Sequence, residues 1–171
     1  GKAAPKNAKM LFGGKGADRF SDDKKLDGEL LKEGVVSMDS FGDFTLHLEF
    51  RTPYKPKTKP GSQDRGNSGV YIFNNYETQI LDSFGIKGEF NFCGALYRKK
   101  PPVVNMCLPP LAWQTYDIEF TTPRFKDGKK VKNARITTRH NGVLIHDDFE
   151  LDKGTGAGGG RPEKEKGQIH L

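Results

Sequence analysis

The chain has 171 residues with 28 Lys or Arg and 22 Asp or Glu, which gives a formal net charge of +6. A chain of this length fits one domain and buries roughly two thirds of the surface that it exposes when unfolded, so its stability requires no metal. No apolar stretch approaches the roughly 20 residues of a membrane-spanning helix, and the basic residues are scattered through predicted loops. These features argue against a membrane span and against a nucleic-acid-binding protein, which needs clustered cations.

Short runs of alternating apolar and polar residues, separated by turn residues, predict an all-β protein. In chain order the predicted strands are DFTLHLEFR (43–51), SGVYIF (68–73), YETQIL (76–81), WQTYDIEFT (113–121) and the two halves of ARITTRHNGVLIHDDFEL (134–151). The second and third strands form a hairpin around an Asn74-Asn75 turn. In the last hairpin, Asn141-Gly142 accepts positive φ at both central positions, as a type I′ turn requires.

The connections between these strands are long. Residues 52–67 and 83–110 are extended loops, of which the second contains aromatic residues and is expected to be ordered, whereas the glycine-rich, charged segment 152–167 is expected to be mobile. Many short strands with long crossing loops predict a single domain, residues 1–171, in which two antiparallel sheets pack as a sandwich or jelly roll.

Polar side chains occur at every second position of three predicted strands. They are Glu49 and Arg51, then Glu77 and Gln79, then Asp117 and Glu119. One interpretation is a solvated outer face with weak cross-strand ion pairs. A second is a sugar-binding site, because carboxylates, amides and guanidinium groups pair with hydroxyls while aromatic rings stack on the sugar.

The segment around Glu77 favours the second interpretation, because Asn67, Tyr71 and Asp82 lie close to it in the sequence. Glu77 and Gln79 share a strand face, whereas Asp82 is out of phase with them. We therefore expect Asp82 to lie in a loop and to support the site indirectly.

The cysteines and histidines are less informative. Cys93 and Cys107 are compatible with a disulfide that closes one short loop, worth about 3 kcal/mol, and equally compatible with two buried thiols that never meet. None of the four histidines has a metal-binding spacing such as H-E-x-x-H, so a surface or supporting role is expected for each.

Several segments, in their order, resemble the 3-keto-disaccharide hydrolase family. They are LFGGKGADRF, DFTLHLEFRTP, DRGNSGVYIFNNYETQILDSFG, CGALY, PPLAWQTYDIEFTTPRF, KNARITTRHNGVLIHDDFEL and the terminal GQIHL. The resemblance covers almost the whole chain and implies a concanavalin-like jelly roll. It also implies an exported protein, periplasmic, extracellular or lipid-anchored, that acts on glycosides with a ketone at C3. Members usually continue after GQIHL with a last strand, so we expect either that one edge of the sheet is absent or that this strand lies beyond Leu171.

The implied chemistry requires a base for the C2 proton, a group that stabilises the enolate oxygen and a proton for the leaving oxygen. Glu77 is our first choice for the base and Glu49 the second. Arg51, Asn67 and Gln79 are candidate donors to the enolate oxygen or the sugar hydroxyls. Further pocket residues are predicted to be Tyr71, Asp82, Trp113 and His140. A divalent metal held by carboxylates and His would serve the enolate equally well.

Three alternatives stay open at this point. Glu49 and Glu77 could act as the two carboxylates of a conventional glycosidase, in which case their separation would distinguish retention from inversion. The chain could instead be a carbohydrate-binding module in which Trp113 and Tyr71 stack on sugar without turnover. It could also be a structural or protein-binding jelly roll.

Overall fold

The computed structural model of the protein describes residues 4–21 and 26–171. In these residues it contains short β-strands and a single turn of 3-10 helix, Gly156–Gly158. The strands are β1 (Leu26–Asp27), β2 (Leu30–Leu31), β3 (Phe44–Phe50), β4 (Ser68–Ile72), β5 (Tyr76–Ile80), β6 (Gln114–Thr121), β7 (Arg124–Lys126), β8 (Lys129–Lys132), β9 (Ala134–His140), β10 (Val143–Leu151) and β11 (Ile169–His170). Within these described residues, no helix has the length and apolar character needed to cross a membrane.

Two antiparallel sheets form the body of the molecule. The large sheet has the strand order β10-β9-β6-β3, and the small sheet has the order β11-β4-β5. Two further pairs, β1-β2 and β7-β8, are isolated two-stranded ribbons. The predicted strands therefore all form, whereas β1, β2, β11 and the β7-β8 hairpin were not predicted.

One apolar core lies between the two sheets. The large sheet contributes the inward residues of β6 and β9, and the small sheet contributes those of β4, β5 and β11: Tyr116, Ile118, Phe120, Ala134, Ile136, Val70, Ile72, Tyr76 and Ile169. Contacts between aromatic rings join the sheets, as between Tyr76 and Phe120, whose centroids are 5.3 Å apart. The predicted all-β sandwich is confirmed, and each sheet has one face toward the core and one outer face.

The two predicted hairpin turns have different outcomes. Asn141 and Gly142 have φ angles of 51° and 79°, which confirms the type I′ geometry. In the β4-β5 hairpin the turn lies one residue earlier than predicted, because Phe73 and Asn74 carry the positive φ angles, 58° and 59°. This conformation is unfavourable for a bulky residue. The Phe73 ring offsets the cost by packing in the core against Phe120.

The glycine-rich segment 152–167 was expected to be mobile, and the structure contradicts this. Thr155 N–H donates a hydrogen bond of 2.9 Å to the carbonyl oxygen of Asn75. A Cβ atom on Gly158 would lie only 2.1 Å from that same oxygen. The glycines thus allow the segment to lie directly on the end of the β4-β5 hairpin, where any side chain would clash.

Candidate functional site

Three polar residues form a row across the outer face of the small sheet. His170 on β11 is the cross-strand partner of Tyr71 on β4, and Tyr71 is the partner of Glu77 on β5. Cross-strand partners share a sheet face, and the neighbouring row of Ile169, Ile72 and Tyr76 points into the core. His170, Tyr71 and Glu77, the polar row, therefore face away from the core.

Two segments cover the Glu77 end of the polar row. Leu96 pairs with Thr78 in an antiparallel bridge, and Tyr97 N–H donates to the carbonyl oxygen of Glu77 at 3.1 Å. The second segment is bound through the backbone N–H of Glu77, which donates to Thr155 Oγ1 at 2.7 Å. The outer face of the small sheet is consequently not an open surface at this point.

Burial changes the chemistry of the Glu77 carboxyl group. The side chain is only 3% exposed, and this burial raises the pKa of Glu77 to about 7, while a hydrogen bond with Tyr71 works in the opposite direction. Burial and the neighbouring Glu77 also raise the pKa of Tyr71 above its usual value, so the hydroxyl stays protonated and donates to the carboxyl. Near neutral pH both the protonated and the ionised form of the Glu77 carboxyl are therefore populated.

Gly69 makes room for this carboxyl. It lies on β4 opposite Gln79. A Cβ atom at Gly69 would stand 2.7 Å from Glu77 Oε1 and 2.9 Å from Glu77 Cγ. The side chain of Glu77 therefore leans over the backbone of β4, in the space that a glycine leaves free.

The other end of the polar row is cationic. Burial lowers the pKa of His170, and the charge of Arg161 lowers it further. The same guanidinium group partly offsets the raised pKa of Tyr71. Arg161 Nη1 is held by the carbonyl oxygen of Asn74 at 2.6 Å. Arg161 thus places a positive charge close to Tyr71 and beside a neutral His170.

Gln79 shares the face of Glu77, as predicted, but it has no exposed surface. Its Nε2 donates to Gln63 Oε1 at 3.0 Å, to Asn67 Oδ1 at 3.2 Å and to the carbonyl oxygen of Asn91 at 3.3 Å. Gln79 therefore ties together loops beside the site. Asn67 lies with it at the edge of this group, on the same side of the sandwich as the polar row.

Asp82 follows β5 and is buried, with its carboxylate paired to the guanidinium of Arg65. Arg65 Nε donates to Asp82 Oδ2 at 2.9 Å, and Arg65 Nη1 donates to the carbonyl oxygen of Thr58 at 2.8 Å. This pair fastens the 52–67 loop to the end of β5. Asp82 thus lies outside the strand, as its phase indicated.

Three predicted site residues lie on the other side of the molecule. Leu46, Leu48 and their neighbours on β3 pack on the core, so Glu49 and Arg51 point to the outer face of the large sheet. Trp113 is 52% exposed, and the Arg51 guanidinium lies 5.4 Å from its ring centroid. The prediction that Glu49, Arg51 and Trp113 share one pocket with Glu77 is therefore wrong. The sandwich core lies between these three residues and Glu77.

His140 was also predicted to complete the pocket, and it lies in the interior instead. Its ring packs against Tyr116, with centroids 4.8 Å apart, and its Nε2 is 2.9 Å from Gln114 Oε1. Burial lowers the pKa of His140 to about 4, so the ring is neutral. It stabilises the core and does not reach a surface.

The chain is similar in sequence to a known protein family. A profile of the 3-keto-alpha-glucoside-1,2-lyase-like domain, of the 3-keto-disaccharide hydrolase family, matches residues 7–171, nearly the whole chain. The chain belongs to this family. No curated protein matches it.

Solved structures resemble this lyase-like domain over most of its length. One candidate glycosyl hydrolase from Parabacteroides distasonis ATCC 8503 is 27% identical, with a TM-score of 0.81 over 97% of this chain and 76% of that chain. A second from the same organism, 21% identical, has a TM-score of 0.61 over 94% of this chain and 88% of that one, which supports the fold alone. Family and neighbours support a glycoside-hydrolase-like function with a sugar as substrate.

The two cysteines of this lyase-like domain are not bonded to each other. Both are buried, and their thiols share a hydrogen bond. Cys93 Sγ also lies 3.2 Å from the hydroxyl of Tyr116, and Cys107 Sγ donates to the carbonyl oxygen of Leu81 at 3.4 Å. Neither sequence-based alternative is correct as stated, because the thiols meet without forming a disulfide.

No group of three His, Cys, Asp or Glu side chains in the described part of the lyase-like domain is arranged to hold a metal ion. Five residues that shape its site were not predicted from the sequence: Gly69, Tyr97, Thr155, Arg161 and His170. For His170 a signal was present, because Ile169 and His170 alternate as in a strand. Tyr97, Thr155 and Arg161 reach the site from loops, whose positions follow no period.

Proposed function

We propose that this protein is an enzyme that cleaves 3-keto-glycosides and that Glu77 is the base that removes the C2 proton. A ketone at C3 acidifies that proton, so a positioned base can generate an enolate that expels the substituent at C1. The observation that supports this role is the buried Glu77 carboxyl, whose pKa is raised to about 7. A general base with a pKa near the working pH combines a useful unprotonated fraction with adequate basicity.

The neighbours of Glu77 supply the remaining roles. Glu77 takes the C2 proton as the electron pair moves toward the C3 oxygen, and the positive charge of Arg161 stabilises that oxygen. The enolate then forms the C1–C2 double bond and breaks the bond from C1 to the leaving oxygen. Tyr71 protonates the leaving oxygen and regains a proton from Glu77 when their hydrogen bond forms again. Water finally adds hydroxyl to C1 and hydrogen to C2.

Access to Glu77 imposes one condition on this mechanism. The carboxyl is only 3% exposed, and Tyr71, the side chain bonded to it, is half-buried. The Tyr71 hydroxyl must therefore exchange its partner when the sugar binds, so that the C2 hydrogen can reach the carboxylate. This exchange also moves the hydroxyl toward the leaving oxygen.

The position of Glu49 does not favour a two-carboxylate glycosidase, since Glu49 and Glu77 occupy opposite outer faces of the sandwich. A binding module remains the second candidate, and the exposed ring of Trp113 is the observation that favours it, because an exposed aromatic ring can stack on a sugar.

The test uses a 3-keto-glucoside with a chromogenic leaving group and the same glucoside without the ketone. We expect release from the keto substrate alone, and a loss of kcat/KM of at least about 100-fold in Glu77→Gln, the usual range for a general base. Glu49→Gln is the matched control, with an expected change below about twofold. Release from both substrates would indicate ordinary hydrolysis, and binding without release from either would support the binding module.

From the family resemblance we further propose that the protein is exported. Fractionation of the native cells tests this, because the proposal requires the protein outside the cytoplasm.

A further inference from the structure

A second feature lies beside the polar row and has no role in the bond cleavage described above. It is an open pocket of about 620 Å³, within the usual size range of ligand sites. Its walls are formed by Tyr97, Arg98 and Lys99 on one side and by Lys153, Gly154, Gly156 and Gly159 on the other. We call it the cationic pocket.

Both walls of the cationic pocket are attached to the backbone of Glu77. One wall is joined through Tyr97 N–H, which donates to the Glu77 carbonyl oxygen at 3.1 Å. The other is joined through Thr155 Oγ1, which accepts from Glu77 N–H at 2.7 Å. A ligand in the pocket is therefore next to the strand residue that carries the proposed base.

The charges in this pocket are not balanced. The ammonium group of Lys99 is paired with Asp152. Among the described residues, Arg98 and Lys153 have no acidic partner within ion-pair distance, and Arg98 stacks instead on Tyr97, with its guanidinium carbon 5.3 Å from the ring centroid. Two cations with no counter-ion, beside an aromatic ring, are suited to an anionic ligand that also has a ring.

The backbone holds Arg98 in this place. Arg98 has a φ angle of 55°, which is uncommon for a residue with a side chain, and its N–H donates to the carbonyl oxygen of Phe90 at 2.7 Å. On the opposite wall, a Cβ atom on Gly156 would lie 2.4 Å from Tyr97 Cδ1. A glycine there lets the two walls approach, with the aromatic ring between them.

We propose that the cationic pocket binds an anionic oxygen group, a carboxylate or a sulfonate or sulfate, on the leaving-group part of the substrate. The inference rests on the proposed function, because it assumes that the sugar ring reaches Glu77. Arg98 and Lys153 bind the anion, and the accessible part of Tyr97 contacts the ring that carries it. The preferred substrate is then a 3-keto-glycoside with an acidic aglycone or an acidic second sugar.

The test compares matched leaving groups. The substrates are 3-keto-glucosides of 4-hydroxybenzoate and of 4-hydroxybenzamide, with the corresponding sulfonate and sulfonamide pair as a second arm that distinguishes the two kinds of anion. We expect a KM about fivefold to tenfold lower for at least one acid than for its amide, with an advantage that decreases as salt concentration rises.

Variants locate the effect. In Arg98→Gln and Lys153→Gln we expect the KM advantage of the acid over the amide, measured as the ratio of the two KM values in the same variant, to fall to less than twofold, and Arg98→Lys should keep most of the advantage. Arg139→Gln, which removes a cation from the exposed part of β9, is the control and should leave the advantage intact. Equal KM values for acid and amide in the wild-type protein, or equal losses in Arg139→Gln, would overturn the proposal.

Failure of the proposed function can be separated from failure of this inference. If no keto substrate reacts, binding of the unoxidised glucosides of the benzoate and the benzamide is measured by calorimetry. Tighter binding of the benzoate that is lost in Arg98→Gln would support the cationic pocket without catalysis. Equal binding of the two glucosides would contradict it.

Discussion

The two outer faces of the sandwich carry similar polar side chains in the same alternating pattern, but they differ in what covers them. On the large sheet His47, Glu49 and Asp117 are exposed or half-exposed, and His47 Nδ1 pairs with Asp117 Oδ1 at 2.6 Å in contact with solvent. On the small sheet the Tyr97 loop and the glycine-rich segment close over Glu77. Burial under these two segments raises the pKa of Glu77 to about 7. The two segments that cover Glu77, and not the alternating pattern of the strands, distinguish this buried carboxyl from the solvated carboxylates on the large sheet.

Among substitutions that compare the two outer faces, we expect the largest change in stability at the buried Arg65–Asp82 ion pair, on the side of the small sheet. Asp82→Asn removes the carboxylate partner of Arg65 and leaves a largely buried guanidinium with neutral acceptors only. We expect the free energy of unfolding to fall by about 3 kcal/mol, as for other broken buried pairs. Urea denaturation of both proteins measures it, and a loss below about 1 kcal/mol would show that the loop relaxes without cost.

The pH dependence of stability should also single out Glu77. Its pKa rises from 4.5 to about 7 on folding, so between these values the folded state binds more protons than the unfolded state. This contribution is fully present below pH 4.5 and is lost as pH rises through 7, about 3 kcal/mol in all. Glu77→Gln has no such titration. We expect the wild-type stability minus that of Glu77→Gln to fall by this amount between pH 4.5 and pH 8.

The subtraction is needed because buried histidines act in the opposite direction. Burial lowers the pKa values of His140 and His146 to about 4, so they favour folding above pH 6.5 and this contribution is lost as the pH falls. Both residues are present in wild type and variant, so their effect cancels. A difference curve that is flat with pH would contradict the raised pKa of Glu77.

A smaller effect on catalysis is expected at Gly69. Gly69→Ala places a methyl group 2.7 Å from Glu77 Oε1 if nothing moves, so the carboxyl must shift while the strand can keep its conformation. We expect kcat/KM for the keto substrate to fall about tenfold, equivalent to about 1.4 kcal/mol. Equal activity of Gly69→Ala and wild type would show that Glu77 does not need its present position.

The smallest effect is expected on the open face. Asp117→Asn removes the partner of His47 where both side chains are more than two fifths exposed. Exposed pairs contribute about 0.2 to 1 kcal/mol, so we expect a loss below about 1 kcal/mol and no change in activity. A larger loss of activity would indicate that the large sheet also takes part in catalysis, and would contradict the division between the faces.

The amino-acid pattern was sufficient for all of the large sheet, for the β4-β5 hairpin of the small sheet and for one half of the site. The alternation in β3 and β6, and Asn141-Gly142 in the last hairpin, predicted strands and a turn because a strand has a fixed period of two and a type I′ turn requires particular residues. The same period placed Glu77 and Gln79 on one face. The Asn74-Asn75 pair indicated the wrong position for the first hairpin turn. Core packing of Phe73 offsets a backbone conformation that its residue type disfavours.

By itself, the sequence determined which residues face the same way along each strand, since that is a local property of the backbone. It could not determine which loops cover the outer face of each sheet. The prediction therefore placed Glu49, Arg51 and Trp113 in one pocket with Glu77. Tertiary structure alone decided that the core lies between them and that Tyr97 and Thr155 bond to the backbone of Glu77. The physical reason is that burial, which raises the pKa of the carboxyl, arises from contacts between residues distant in sequence.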